Sequence, residues 1–422
     1  MKKVYAVALA ILPVLSLYKM PVIAINAGLS ILLFFSCFLF IPHMFQLRNR
    51  RAMTMQGLLT IAFFGYMFLS SEFVYATSRD DLGVFYRLAI FMAVSIPTLL
   101  GAASDHVDFG LTRKAIEYVS LFAALCVIAQ YVLFYLFHTT FAIGRIFLLP
   151  FTGGLEDQYY LAKGIVIDGF FRPSAFFLEP AHYAQYTGIA LISVLFPSNE
   201  ANVNMRKAIL LSASLVLCTS GLGVIFMFGI WTYYGMTTRK ATAKKKMIIF
   251  FTTVTLLAIT SVVLSRFEFF NRTVSRFMAD GSGGENAFLG RLHTMYFYEE
   301  LDAVSKVFGT GFQNIPKYTG VYRAALSYYM VGIVELLYSL GFIGALLALL
   351  LLLSAILNTG KFSRCVAIFY FALVFTAARL KTVDVVFYMS LVYTGLFARK
   401  AEKMNSKGYD RYANGYRDIL PI

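Results

Sequence analysis

The sequence has little charge for its length, because Asp, Glu, Lys and Arg make up only 14% of its 422 residues. A soluble domain carries roughly 25% of these residues. Only four cysteines are present and none is close to another in the sequence, which excludes a disulfide framework, a CxxC redox motif and a cysteine-ligated zinc site. There is also no P-loop and no GxSxG motif. The chain therefore lacks the signatures of disulfide-rich, zinc-finger and P-loop proteins.

The chain is instead rich in hydrocarbon, since 59% of its residues are hydrophobic and apolar runs follow one another along it. A run of about 20 apolar residues can cross a membrane as a helix, and by this measure there are about twelve candidate spans. The formal charge of +15 would suggest a nucleic acid partner in a soluble protein. Here the cations collect in short loops between apolar runs, so no nucleic acid partner is expected. We predict an all-α polytopic integral membrane protein, with residues 1–422 as a single transmembrane domain.

The basic loops fix the predicted topology, because cytoplasmic loops carry an excess of Lys and Arg. The spans cover approximately 4–18, 22–41, 53–75, 84–103, 115–137, 181–196, 247–264, 329–356, 365–378 and 385–397, with a hairpin of two short spans inside 208–236. The hairpin, turning near Thr219-Ser220-Gly221, is predicted because a single span would place the lysine block 244–246 outside. Residues 1–17 imitate a signal peptide, but a second span follows at once, so we interpret them as an uncleaved first helix. Both termini, including the basic tail 399–422, are predicted to be cytoplasmic.

Two long segments are predicted on the outer face, at 138–180 and 265–328, and both are rich in arginine. Long loops escape the charge rule, so their cations are tolerated there without needing a function. Arginine's planar guanidinium fits phosphate oxygens, and two such segments over one membrane face suit a lipid diphosphate. Binding of lipid head groups and plain surface charge are the alternatives. The candidate diphosphate-binding residues are Arg145, Arg172, Arg266, Arg272, Arg276 and Arg291.

The second outer segment also contains a helical pattern. Phe297, Leu301, Val304 and Phe308 recur at helical spacing. This spacing predicts an amphipathic helix that lies on the membrane surface or on the other outer segment.

The most informative stretch runs from residue 170 to 183, where a polar segment meets an apolar span. Arg172, Glu179 and His182 fall within it, and Pro173 and Pro180 prevent a helix from running through it. A helix that begins near Pro180 would direct its free N–H groups and positive dipole end towards this segment. A cation, a candidate base and a helix N-terminus suit an anionic ligand such as a diphosphate. The alternative is a simple interfacial ion pair between Arg172 and Glu179.

Several acidic residues have weaker functional readings. The adjacent acids Asp80-Asp81 and Glu156-Asp157 could hold a metal ion, although solvated turns are the commoner role for such pairs. Glu335 lies inside the predicted span 329–356, where an acid is costly and must face protein or water. It is a candidate to line a substrate groove or to pair with a buried partner.

Several short motifs together resemble the Wzy-type polysaccharide polymerases, in the superfamily that includes the O-antigen ligases. The motifs, in order, are 172–180 (RPSAFFLEP), 217–221 (LCTSG), 290–291 (GR), 308–312 (FGTGF) and 340–344 (LGFIG). Each is weak alone, and their order with two outer segments carries the resemblance. It covers approximately residues 172–344 and implies a GT-C-like membrane fold.

The resemblance implies an enzyme of the bacterial cytoplasmic membrane that joins oligosaccharide repeat units carried on undecaprenyl diphosphate into O-antigen, capsule or exopolysaccharide. Arg172 and Arg291 would neutralise charge on the leaving diphosphate. Glu179 would orient Arg172 or accept the acceptor's proton, and His182 and His293 are further candidate bases. No cofactor and no metal are expected, because arginine can supply the positive charge. The expected partners are the lipid-linked oligosaccharide, membrane lipid and a candidate chain-length regulator protein.

The sequence departs from the family pattern at two points. Gly221 stands where the family often has an arginine after the turn serine, and no histidine follows His293, where ligases place one late in the second segment. The second departure favours a polymerase over a ligase. A lipid-linked oligosaccharide flippase or transporter is the non-enzymatic alternative, although such proteins have short loops, charges along a central cavity and repeated halves.

Overall fold

The computed structural model describes residues 2–19, 27–44, 54–78, 82–103, 107–140, 165–167, 170–197, 203–237, 295–312, 331–376 and 383–393, with isolated positions 248, 251 and 255. This part of the chain is mostly helical. The first five helices are α1 (Lys2–Leu15), α2 (Ala27–Met44), α3 (Thr54–Ser78), α4 (Leu82–Ala103) and α5 (Phe109–Phe137). They are followed by strands β1 (Ile165–Ile167) and β2 (Phe170–Arg172), and by helices α6 (Pro180–Leu195), α7 (Met205–Leu217) and α8 (Gly221–Thr237). The last elements are α9 (Tyr296–Glu299), α10 (Ala303–Phe308), α11 (Gly332–Asn358), α12 (Lys361–Thr376) and α13 (Val383–Tyr393).

Eight of these helices pack side by side in a closed circuit. In order around the circuit they are α1, α5, α6, α12, α11, α3, α4 and α2, which returns to α1. Hydrogen bonds join helices that are far apart in sequence. The Tyr5 hydroxyl on α1 donates to Thr98 Oγ1 on α4 (2.7 Å), and the Tyr186 hydroxyl on α6 donates to the carbonyl of Ala10 on α1 (2.8 Å).

Helix α13 lies against several members of this circuit and is buried on all sides from Val385 to Tyr393. A helix that is apolar all round belongs in the interior of a bundle. Its ring contacts reach α6 and α12, and Ser363 on α12 donates a hydrogen bond to the carbonyl of Leu391 (3.0 Å). Tyr393 hydrogen-bonds to Thr60 on α3. These contacts place α13 at the centre of the described bundle.

The outward faces of the helices are apolar. Helices α5 and α11 are long and apolar enough to cross a membrane. Large hydrophobic side chains project from them, including Leu136 and Leu357, each 70% exposed. Such faces are unfavourable in water and suit lipid, which supports the predicted membrane association.

The predicted hairpin after α6 is confirmed, because α7 and α8 are two short helices joined by a turn at 218–220. Asn204 begins α7 by accepting the Lys207 N–H at Oδ1 (3.1 Å). The helix predicted to start near Pro180 is also confirmed. Span 247–264 lies almost wholly outside the described residues.

Two local features differ from the sequence-based prediction. The antiparallel pair β1–β2 adds strand to a chain expected to be all helical, with Ile165 opposite Arg172. The single surface helix predicted over residues 297–308 is instead two short helices, because Asp302 is extended and caps α10. The Asp302 carboxylate accepts the N–H groups of Val304 (3.1 Å) and Ser305 (3.2 Å). Hydrogen bonds from Ser305 hold the pKa of this exposed carboxyl below its ordinary value.

A buried arginine fixes the end of α6 that is remote from Glu179. Arg113 on α5 donates from Nε to Ser193 Oγ (3.1 Å) and from Nη2 to the carbonyls of Ser193 (2.8 Å) and Phe196. Its guanidinium also lies 4.1 Å from the ring centroid of Phe362. The last carbonyls of a helix lack partners within the helix, so Arg113 satisfies groups that would otherwise be buried unpaired.

Candidate functional site

The stretch that the sequence singled out is anchored at Arg172 by the small sheet. Phe171 is fully buried and stacks on Phe134 of α5, with ring centroids 5.1 Å apart. Successive side chains of a strand point to opposite faces, so burial of Phe171 turns Arg172 to the other face. Arg172 is half-buried.

The turn that follows Arg172 is clamped by one glutamine on α5. Gln130 Oε1 accepts the N–H of Ala175 (2.9 Å), and Gln130 Nε2 donates to the carbonyl of Ala175 (3.2 Å). Ala175 adopts a positive φ of 54°, which is uncommon for a residue with a side chain. Phe176 and Phe177 are buried beside it, and Phe177 packs on Tyr186 of α6 with centroids 5.3 Å apart. The backbone between Arg172 and Glu179 is therefore held at several points.

Glu179 and His182 lie exposed at the start of α6. Pro180 occupies the first turn, where its missing N–H is not needed, and the Glu179 side chain makes no capping hydrogen bond. Residues three apart on a helix are neighbours, so Glu179 and His182 lie on one side of this first turn. The Glu179 carboxylate is therefore exposed to solvent and is not used as a helix cap.

The turn of the α7–α8 hairpin lies beside the start of α6. Cys218 Sγ is 4.0 Å from the carbonyl oxygen of Pro180. A Cβ added to Gly223 would lie 3.0 Å from Ala184 Cβ, so α6 and α8 are in close contact one turn from their starts. The two helices therefore begin at the same level, at the end of the stretch that contains Arg172.

This geometry concentrates positive potential. Each helix N-terminus carries a partial positive charge and N–H groups that have no acceptor within the helix. Arg172 adds a full charge and a planar set of donors. Anions bind at such places, since backbone N–H groups and arginine are both good phosphate donors.

The hairpin turn itself is strained and polar. Thr219 has a φ of 59°, a value that is an outlier for a β-branched side chain and costs about 1–3 kcal/mol. Its hydroxyl is buried and has no hydrogen-bond partner among the described residues. Strain of this kind persists only where the surrounding structure enforces it.

The other two motifs of the resemblance also meet. Gly341 interrupts α11 with φ 65° and ψ −171°, so the carbonyls of Tyr338 and Ser339 lose acceptor roles within the helix. These carbonyls instead accept the N–H groups of Thr310 and Gly311, each at 3.0 Å. We call this contact between 308–312 and the break at Gly341 the glycine interlock.

Tyr66 on α3 closes the glycine interlock from the side. Its hydroxyl lies 2.8 Å from the carbonyl of Leu340 and 2.9 Å from the carbonyl of Phe308. A Cβ on Gly309 would lie 2.3 Å from the Ser339 carbonyl oxygen. Residue 309 must therefore be a glycine for the two backbones to approach this closely. Residues 308–312 of the second predicted outer segment are thus fixed to the helical bundle.

The remaining predicted site residues lie outside the described residues. These are Arg145, Arg266, Arg272, Arg276, Arg291 and His293, together with the acid pairs Asp80-Asp81 and Glu156-Asp157. Of the predicted catalytic and diphosphate-binding residues, the structure describes Arg172, Glu179 and His182, and it places the start of α6 beside the hairpin turn. Among the described residues, no group of three or more His, Cys, Asp or Glu side chains could hold a metal ion.

Sequence reasoning missed Gln130 and Tyr66, and it placed Thr219 in the hairpin turn without predicting its positive φ. Gln130 offered a signal, because an amide inside an otherwise apolar helix must find a partner in the bundle. Thr219 and Tyr66 gave none, since a positive φ and a hydroxyl bridging two carbonyls depend on tertiary contacts.

No known family model matches the chain. No curated protein matches it at a significant level.

Proposed function

We propose that the protein is a membrane glycosyltransferase that polymerises oligosaccharide repeat units carried on undecaprenyl diphosphate. The observation that carries this proposal is that α6 and α8 begin side by side at the end of the stretch that contains Arg172. Glycosyl transfer from a lipid diphosphate creates an anionic leaving group, and this arrangement suits it.

The reaction needs charge neutralisation and a proton acceptor. The bond between the anomeric carbon of the growing chain and the diphosphate oxygen breaks, and a hydroxyl oxygen of the next unit bonds to that carbon. Arg172, with Arg291 as the proposed second cation, stabilises the departing diphosphate. A single donor of this type contributes about 10²–10³-fold in rate. Glu179 accepts the hydroxyl proton or orients Arg172, and His182 and His293 are the other candidate bases.

The pairing of motifs supports the resemblance to the Wzy-type polymerases. Motif 172–180 lies beside motif 217–221, and motif 308–312 lies against motif 340–344. Gly221 replaces the arginine often found after the turn serine, and the N-terminus of α8 supplies partial positive charge there.

The location and the full topology belong to the same proposal. About twelve spans, cytoplasmic termini and two outer segments would place the site on the outer face of the bacterial cytoplasmic membrane. Membrane lipid surrounds the bundle in this arrangement, and a chain-length regulator is a candidate partner. Arginine and helix termini supply the charge, so activity is expected to survive a metal chelator.

The test is the surface glycan of a deletion strain that carries the wild type or one of several variants. Arg172→Ala, Arg291→Ala and Glu179→Ala should leave single repeat units, whereas the wild type restores long chains. Arg172→Lys keeps the charge without the planar donors and should restore chains only in part. Arg206→Ala is the matched control, because Arg206 is exposed near the start of α7, the end opposite the hairpin turn.

Each other outcome identifies a different protein. Polymer that forms but stays on its lipid carrier would indicate a ligase. Lipid-linked units trapped on the inner face would indicate a flippase or transporter. Full activity of Arg172→Ala at normal expression would remove the site assignment.

A further inference from the structure

A cavity of about 200 Å³ lies beside the glycine interlock. Its walls come from α3, α4, α11, α12 and α13, and Phe312 at the end of the interlock lines it as well. An apolar cavity of about 150 Å³ holds a benzene molecule, so this space accommodates several carbons of one chain. It is too small for the two chains of a phospholipid side by side.

The cavity has one polar end and one hydrocarbon end. Its polar lining residues on α11 are Glu335 and Ser339, which are one turn apart and both precede Gly341. Tyr370 on α12 lines the same cavity. Beyond the break, α11 contributes only Phe, Ala and Leu to the wall. Glu335 therefore lines this cavity.

Two hydroxyl groups at the polar end need a partner. Ser339 is 4% exposed and Tyr370 is 2% exposed. Neither hydroxyl has a hydrogen-bond partner among the described residues. A buried hydroxyl without a hydrogen-bond partner is destabilising. An occupant with an oxygen at this end would supply a partner, whereas a pure hydrocarbon would leave the hydroxyls unpaired.

The cavity also has a lateral opening. Phe342 and Leu346 line it and are 58% and 44% exposed on the outward face of α11. In a membrane this face meets lipid, so a chain can enter from the side. The polar end lies at the interlock, where residues 308–312 of the second predicted outer segment contact α11, and the N–H of Phe312 donates there to Ser71 Oγ (3.1 Å).

We propose that this cavity binds the head-proximal part of the polyprenyl chain of the lipid-linked substrate. The oxygen-bearing end of the chain faces Ser339 and Tyr370, and its hydrocarbon follows α11 towards Leu352. A single chain fits the volume, and the polar end lies beside residues 308–312 of the second predicted outer segment. The inference rests on the proposed function, because that function supplies the polyprenyl lipid.

The test is photo-crosslinking of the full-length protein in vesicles with a polyprenyl diphosphate that carries a diazirine near its head. Peptides of α11 and α12 should be labelled. Ala348→Phe fills the cavity. It should reduce labelling about tenfold, because the polyprenyl chain loses its contacts with the cavity wall. Leu350→Phe is the matched control, because Leu350 is 42% exposed on the same helix and does not line the cavity.

A second pair of variants separates binding from folding. Ser339→Ala and Tyr370→Phe each remove an unpaired hydroxyl, so the protein without lipid should be as stable as the wild type or more stable. Labelling should nevertheless fall roughly three- to tenfold, because a hydrogen bond to the chain's oxygen is lost. A structural role would instead lower stability and labelling together.

Three results would overturn the inference: no labelling above background, equal labelling by a diazirine phosphatidylglycerol, or unchanged labelling of Ala348→Phe. The proposed function is judged separately by the glycan of the deletion strain. If Arg172→Ala abolishes polymer while Ala348→Phe labels normally, the cavity assignment alone is wrong. If the deletion does not alter the glycan, the proposed function is wrong and labelling still reports on the cavity.

Discussion

Replacing Gly341 by alanine tests the glycine interlock directly. Gly341 occupies a region of φ and ψ that is essentially restricted to glycine, at 65° and −171°. A Cβ there would lie 2.3 Å from the Val307 carbonyl oxygen and 2.5 Å from the Gly309 nitrogen. Both neighbours are backbone atoms and cannot rotate away, so the interlock must open.

The expected loss of stability follows from two contributions. A residue with a side chain in this backbone conformation costs about 1–3 kcal/mol. Opening the interlock also breaks the hydrogen bonds to the carbonyls of Tyr338 and Ser339, each contributing about 0.5–1.5 kcal/mol. We expect Gly341→Ala to destabilise the protein by about 3 kcal/mol or more and to reduce polymer length, because the second outer segment loses its attachment.

Thermal unfolding in detergent, followed with a thiol-reactive dye, measures this loss. Cys126, Cys218 and Cys365 are buried and become reactive when the bundle opens. Gly65→Ala on α3 is the matched control, since its added Cβ would have no heavy atom within 4 Å. In a helix this control should be neutral or stabilising by roughly 0.5–1 kcal/mol. Equal midpoints for Gly341→Ala and Gly65→Ala would refute the interlock.

Two further substitutions test the supports of the candidate site. Gln130→Ala leaves the buried N–H and carbonyl of Ala175 unpaired, so it should cost about 1–3 kcal/mol and lower polymer yield, as measured by the same dye and glycan assays. Preserved activity would show that the clamp does not position Arg172. Arg113→Ala removes the donors to the α6 carbonyls and should cost about 3 kcal/mol. Arg113 acts at the end of α6 remote from Glu179, roughly 24 Å away, so polymer length in the folded fraction should not change.

The architecture was predictable where it follows from hydrophobic runs and local backbone chemistry. The start of α6 was readable because Pro180 is suited to the first helical turn, and the α7–α8 turn followed from the charge of the loop after it. The surface helix was predicted wrongly because the spacing of apolar side chains does not show that Asp302, inside the pattern, ends one helix and caps the next. The β1–β2 pair was missed because strands of three residues leave almost no periodic signal.

The residues of the candidate site were predictable from the sequence, but the tertiary contacts that position them were not. A proline-flanked arginine and glutamate mark a polar segment in the sequence. That α8 starts beside α6 depends on close packing at Gly223, and that Ala175 turns left-handed depends on Gln130 of a distant helix. Such long-range pairings are invisible to local pattern, because each residue type has many commoner roles.

The two motif pairs are connected through the core by aromatic contacts. From the candidate anion site, Phe177 packs on Tyr186, which stacks on Phe387 of α13 at 5.8 Å. Phe387 touches Tyr388, and Tyr388 stacks on Tyr370 of the cavity wall at 4.7 Å. Because rigid rings in van der Waals contact join the two places through the buried helix α13, their separation is set by the core and not by the outer segments.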